Sequence, residues 1–191
     1  MRLRLLSMAM LISALTATAA AGTLEGKAPA GNSVVYVDTI PGKTFPVASK
    51  TVVISQRGLA YVPHIMAIEQ GTTVDFQNDD SVQHNVFWPS INGNKKDGHN
   101  MGTWPKGDKR SFTFDHAGVV PLLCNVHPEM SGFLIVSPTP YFAQTDAAGN
   151  FKIDNVPDGK YTVVVWHEGS KLQRTSVDVS GTGKVDFAAA K

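Results

Sequence analysis

The stretch Cys124-Asn125-Val126-His127-Pro128-Glu129-Met130 contains the only cysteine of a 191-residue chain, and the apolar run Phe133-Leu134-Ile135-Val136 follows directly. A second histidine, His84, lies forty residues upstream in Val82-Gln83-His84-Asn85-Val86. One thiolate, two imidazoles and one thioether are the donors of a mononuclear copper electron-transfer centre, with His₂Cys in a plane and a weak axial Met. The CxxHxxM spacing lets one tight loop supply three donors, and His84 closes the set from another loop. Singly, a Cys is usually a small buried hydrophobe, a Met a gap-filler and a His a satisfied polar group. Their joint spacing, between one β pattern and the next, favours the metal reading over those three separate ones.

Working outward, the pattern stays β. Ser33 to Val37, Lys50 to Ile54, Gly71 to Phe76, Ser111 to Phe114 and Tyr161 to Trp166 are short, rich in β-branched and aromatic residues, and bounded by Gly, Pro, Asn or Asp. No long 3.6-residue period occurs after the N-terminal segment. The expectation is an antiparallel all-β protein of sandwich type. Residues 89–108, rich in Gly, Asn and Lys, read as a long loop with at most one turn of helix.

The N-terminus carries Arg2 and Arg4, an apolar stretch from Leu5 to Leu15 and small residues at Ala19-Ala20-Ala21. This is the pattern of a signal peptide, residues 1–21, cleaved near Ala21. The apolar stretch falls short of the roughly 20 residues that span a bilayer. The expectation is a periplasmic or secreted protein with no membrane insertion after cleavage. Exported thiols tend to pair, yet one cysteine cannot form an internal disulfide. Copper binding explains an unpaired exported thiol, and simple burial is the alternative.

Removing Arg2 and Arg4 from the 17 basic residues leaves 15, against 16 acidic ones. There is no basic field for nucleic acid and no polybasic membrane patch. The mature chain is long enough for one ordinary core or two small ones.

Residues 50–137 resemble the cupredoxins. The resemblance rests on the strand from Gly71 to Phe76 leading to Asn78-Asp79-Asp80 and His84-Asn85, then Phe112 to Gly118, then the Cys124 loop. That loop, with Pro128 after the histidine, is most similar to the short loop of the amicyanins. The resemblance implies a Greek-key β-sandwich, one Cu(I)/Cu(II) ion, and ligands His84, Cys124, His127 and Met130. It implies that Asn85 ties the two ligand loops together. It further implies that His127 lies near the surface among apolar residues such as Val126 and Pro128, as the port for electrons to redox partner proteins that dock transiently. Two features depart from the family pattern. Val120 and Leu122 stand where aromatics are frequent, and Pro121 interrupts a strand, which suits an edge or a bulge. Glu129 beside His127 either tunes the potential or partner choice or is solvated surface.

Residues 138–191 resemble the carboxypeptidase-regulatory-like, or transthyretin-like, β-sandwich modules. The similarity lies in Thr145 to Ile153 and Val156 to Tyr161, with turns at Asp146 to Gly149 and Pro157 to Gly159. The opening Gly22-Thr23-Leu24-Glu25-Gly26 with Ser33 to Val37 fits the first strands of such a module. Either residues 22–48 complete this second small sandwich, with the copper domain inserted between, or they are the first strand pair of the copper domain.

The remaining histidines divide. His64, and His99 with Met101, either contact or shield a metal or serve packing and loop surface, the more frequent role. His116 and His167 have no partner evident in the sequence. Two rival functions use the same residues. Copper trafficking is one, although the mature chain has only Met66, Met101 and Met130 and no Met-rich stretch. An enzyme, with Cys124 as nucleophile or with copper oxidase chemistry, is the other, but His127 shares its loop, no third group is evident to orient it, and the chain has no HxH pair. The expectation is therefore an electron carrier and not an enzyme.

Overall fold

The computed structural model describes residues 21–187, so the expected signal peptide lies outside the described residues apart from Ala21. The strands are β1 (Ala21–Lys27), β2 (Val34–Val37), β3 (Thr51–Gln56), β4 (Tyr61–Val62), β5 (Ile65–Glu69), β6 (Thr73–Asn78), β7 (His84–Trp88) and β8 (His99–Trp104). They continue with β9 (Lys109–Thr113), β10 (Gly118–Leu123), β11 (Ser131–Ser137), β12 (Phe142–Gln144), β13 (Asn150–Pro157), β14 (Gly159–Trp166), β15 (Gln173–Val179) and β16 (Thr182–Asp186). The only helical element among the described residues is the 3₁₀ turn Lys95–Asp97. The all-β expectation holds.

Two sandwiches result. In one, the sheet β4-β3-β6-β9 faces the sheet β5-β11-β10-β7-β8. Their inner faces share a core that includes Ile54, Phe76, Val86, Trp88, Phe114, Leu134 and Val136. In the other, β13-β1-β16 faces β12-β2-β14-β15 over Leu24, Val35, Val37, Ile153, Val163 and Val165. β1 pairs with β13 and β16, and β2 with β12 and β14.

A period of two explains a third core. Along β2, Val35 and Val37 enter the second sandwich, while Val34 and Tyr36 point the other way. β14 sends Val163 and Val165 inward and Val164 and Trp166 outward. β11 sends Leu134 and Val136 into the first core and leaves Ile135 and Phe133 on its outer face. These outward residues pack together, with the Phe133 and Trp166 rings 5.0 Å apart, so the two sandwiches meet through the backs of their sheets. Strands covered on both faces read as continuous apolar runs instead of alternating ones.

Several expectations need correction. The fold is not purely antiparallel. β3 pairs with β6, β5 with β11 and β1 with β16 in parallel, because crossover connections bring strands distant in sequence side by side. Residues 99–104 are not loop but β8, hydrogen-bonded to β7, where Trp88 and Trp104 anchor the ladder in the core. Pro121 lies inside β10, which has neighbours on both sides. β7 meets β10 only at Leu123↔Phe87, so a residue without an N–H is accommodated there. The turns at Asp146 to Gly149 and Pro157 to Gly159 join strands of different sheets, so they are corners between layers and not hairpins.

The Gly-x-Leu-x-Gly opening has a steric cause. A Cβ on Gly26 would sit 1.7 Å from the Val185 carbonyl oxygen, and one on Gly22 would sit 2.4 Å from that of Gly181. β1 runs too close to β16 and its approach for any side chain at these two positions.

Candidate metal centre

β7 delivers His84 at its first residue, and the turn between β10 and β11 delivers Cys124, His127 and Met130. β7 and β10 are neighbours in one sheet, so the segments that carry His84 and Cys124 lie side by side at the same end of the sandwich. The turn is closed by Met130 N–H donating to the His127 carbonyl at 3.0 Å.

The donor atoms of His84, Cys124 and His127 all lie within 4.8 Å of one another. His84 Nδ1 and His127 Nδ1 are 3.1 Å apart, and Cys124 Sγ is 4.0 Å from His127 Nδ1. His84 is fully buried, Cys124 and Met130 are buried in the first core, and His127 is half-buried. Val126, Pro128 and Glu129 beside it are exposed.

The tautomer of His84 follows from its partner. Its Nε2 lies 2.7 Å from Asp80 Oδ2, an acceptor, so the ring proton sits on Nε2 and Nδ1 keeps its lone pair. That lone pair faces His127 Nδ1 and the sulfur. A soft thiolate and imidazole lone pairs converging in a buried, mainly apolar pocket suit copper, so the residues fit the ion.

A shell of hydrogen bonds holds the donors. Asn85 N–H donates to Cys124 Sγ at 3.4 Å, and Asn85 Oδ1 accepts from Asn125 N–H at 3.2 Å. Asn85 Nδ2 donates to Asn100 Oδ1 and to the Gly102 carbonyl, both at 2.8 Å, linking the ligand loops to β8. The Tyr61 hydroxyl reaches the Leu123 carbonyl at 2.8 Å and the Asn85 carbonyl at 3.2 Å. Burial, reinforced by nearby Cys124, pushes the Tyr61 hydroxyl far above its ordinary range, so it remains a donor. Burial also pushes the Asp80 carboxyl up, but the N–H groups of Leu59 and Gly58 and the His84 ring outweigh it and hold it down at about 2.

The other candidate residues are placed elsewhere. His64 faces the Ser131 carbonyl at 3.1 Å and Glu168 at 2.8 Å. His99 packs against the rings of Trp88 and Phe112, and Met101 is buried in the first core. His116 pairs with Asp97 at 3.1 Å, and His167 Nδ1 lies 3.4 Å from Ser33 Oγ. Val120 and Leu122 are buried where aromatics were the frequent choice, so aliphatic side chains fill that part of the core. The reading from sequence missed Tyr61 and Asp80. Asp80 stands four residues before His84, a spacing with no meaning outside a helix until the loop is folded. Tyr61 lay in the segment singled out only for His64.

Residues 48–137 match the family model of copper binding proteins, plastocyanin/azurin family. Residues 137–187 match a model described as polysaccharide lyase family 4, domain II, which is not the module type that the sequence resemblance named. Among solved structures, the chain is similar to the Cu(I) form of a methionine-to-glutamine mutant of amicyanin. Identity is 25%, with 52% of this chain and 97% of that one covered and a TM-score of 0.43. It is likewise similar to the Cu(I) form of a methionine-to-alanine mutant of amicyanin, at 26% identity, 52% and 97% coverage and a TM-score of 0.43. No curated protein matches the chain.

Over residues 48–137 the chain is thus similar to the plastocyanin/azurin family of copper binding proteins, and its β-sandwich carries a His-Cys-His cluster that fits copper as the cofactor. The second β-sandwich accompanies it in the same chain.

Proposed function

We propose that the protein is an exported type 1 copper protein that passes single electrons between redox partner proteins. His84, Cys124, His127 and Met130 hold the ion. The observation that carries this reading is the cluster of His84, Cys124 and His127, in which a fixed lone pair of His84 faces the other two donors. Copper, when bound, supplies a one-electron Cu(I)/Cu(II) couple. The chain's own residues do the rest. The core and the Asn85 and Tyr61 hydrogen bonds keep the donors in one arrangement, so little rearrangement accompanies a change of charge. Burial of His84, Cys124 and Met130 excludes water.

Half-buried His127 is the electron port. Exposed Val126 and Pro128 flank it in sequence, and exposed Val82 lies two residues before His84, so apolar side chains stand on both segments for brief docking. Among the described residues no helix is long and apolar enough to cross a membrane. The signal pattern of residues 1–21 sends the mature chain to the periplasm or outside the cell. Residues 22–48 and 138–191 together form the second module, with residues 50–137 inserted between them.

A trafficking role is the weaker reading, because three of the four donors are buried and two of these, His84 and Cys124, are held by hydrogen bonds, whereas handing over an ion requires access. Voltammetry of the copper-loaded mature protein separates the two. A reversible one-electron wave with copper retained over many cycles supports the carrier. Loss of copper on reduction supports trafficking.

A further inference from the structure

The loop before β7 contains a carboxylate with an unusual set of partners. Asp80 Oδ2 receives the Nε2–H of His84 at 2.7 Å and the N–H of Leu59 at 3.0 Å, while Oδ1 receives the N–H of Gly58 at 2.7 Å. Gly58 and Leu59 both have positive φ, 65° and 57°. A leucine in the left-handed region is uncommon. In that conformation the turn between β3 and β4 aims two consecutive N–H groups at one carboxylate. The loop itself is pinned from below: Asp80 N–H donates to Asn78 Oδ1 at 2.9 Å, and Asn78 Nδ2 donates to the Val82 and Trp104 carbonyls at 2.8 and 3.0 Å. Asn78 is fully buried.

We propose that Asp80 is the positioning residue of the copper site, holding the buried ring of His84 with Nδ1 toward the metal and placing a fixed negative charge behind it. The inference rests on the copper reading above and adds a consequence to it. A neutral backbone carbonyl in this place would orient the ring equally well. A carboxylate also makes the imidazole a stronger donor, and it stabilises Cu(II) more than Cu(I) because the attraction scales with the charge of the ion. Asp80 therefore lowers the reduction potential of the one-electron couple, whose electron comes from or goes to the electrode in the test below. The β3–β4 turn, which supplies no ligand, becomes part of the metal site.

The test uses the full mature protein and the variants Asp80→Asn and Asp80→Glu. Asn keeps the size and an acceptor oxygen but removes the charge; Glu keeps the charge. Metal affinities are measured by competition with chelators for Cu(II) and for Cu(I), the potential by voltammetry, and the His84 ring by ¹⁵N NMR of the copper-free protein. Asp80→Asn should weaken Cu(II) binding about 10- to 100-fold, with a smaller effect on Cu(I). Each tenfold difference between the two raises the potential by about 59 mV. Asp80→Glu should move the potential back toward wild type. In copper-free wild type, His84 should be a single Nε2–H tautomer with a slowly exchanging ring proton. That measurement stands even if Asp80→Asn disturbs the turn, and a mixed tautomer in wild type overturns the proposal. So does an unchanged potential in Asp80→Asn. A wild-type protein without a thiolate-to-copper band defeats the copper reading instead, while the NMR result still judges the clamp on His84.

Discussion

Asn85 on β7 and Cys124 in the β10–β11 turn meet twice: the Asn85 N–H points at the cysteine sulfur, 3.4 Å away, and Asn85 Oδ1 accepts the N–H of the next residue, Asn125. One buried asparagine thus fixes the separation of β7 from the Cys124 turn. The backbone bond to sulfur needs only the local strand geometry, but the side-chain bonds need the amide. Asn85→Ala leaves the Gly102 carbonyl and the Asn125 N–H without their partner. We expect a loss of about 2–3 kcal/mol in the unfolding free energy of the copper-free protein, read by urea titration. A loss below about 0.5 kcal/mol would show that the loops are held by other contacts.

Tyr61 makes a similar tie from behind, its hydroxyl shared between the carbonyls of Leu123 and Asn85. Tyr61→Phe keeps the ring in the core and removes only the oxygen. The expected cost is about 1–2 kcal/mol, with the backbone carbonyls left to find other donors. Chemical shifts of Leu123 and Asn85 in the copper-free protein should move while those of the second sandwich do not.

Trp166 joins the two sandwiches through Phe133 and is buried in the shared cluster. Trp166→Ala should cost about 3–5 kcal/mol and split one unfolding transition into two, read by calorimetry. Deleting residues 22–48 tests the domain reading separately. The 138–191 segment should then fail to fold, because β1 and β2 sit between its own strands. A folded 138–191 segment on its own would sink the inserted arrangement.

Asp75 gives a pH dependence away from the metal. It is buried on β6, bonded to Lys109 Nζ and to Ser111 Oγ, and these partners hold its carboxyl below the ordinary value of 3.8. A depressed folded-state value means that the unfolded chain takes up the proton first as the medium is acidified. The stabilisation is complete above pH ~4 and is lost as the pH falls through the folded value. Asp75→Asn should flatten that part of the acid-unfolding curve of the copper-free protein. An identical acid limb in the variant would contradict the assignment.

Much of this was legible in the sequence, for identifiable reasons. Cys124, His127 and Met130 share one loop, so their relation is a matter of spacing that needs no fold. His84 was singled out as the second imidazole that the donor set calls for, and Asn78-Asp79-Asp80 and Asn85 around it carry the family resemblance. The strands around Val53, Phe76, Phe112 and Val164 announced themselves by β-branched and aromatic residues. What escaped depends on distant pairing. The parallel neighbours of β5 and β11 are set by crossovers that local patterns do not encode. The strand His99–Trp104 was hidden by Asn100, Gly102 and the Gly- and Asn-rich residues before it, since its place in the core comes from Trp104, packed in the same core as Trp88 of β7, and not from its own propensity. The third core was visible in principle: Val34 to Val37, Phe133 to Val136 and Val163 to Trp166 do not alternate, which is the mark of a sheet covered on both faces.

The central claim is that Cys124 is a copper thiolate ligand. The visible spectrum of the mature protein loaded with Cu(II), beside Cys124→Ser, tests it most directly. The account predicts an intense thiolate-to-copper band that bleaches reversibly on reduction and is absent in the variant. A colourless wild type, or a band that survives Cys124→Ser, would contradict it.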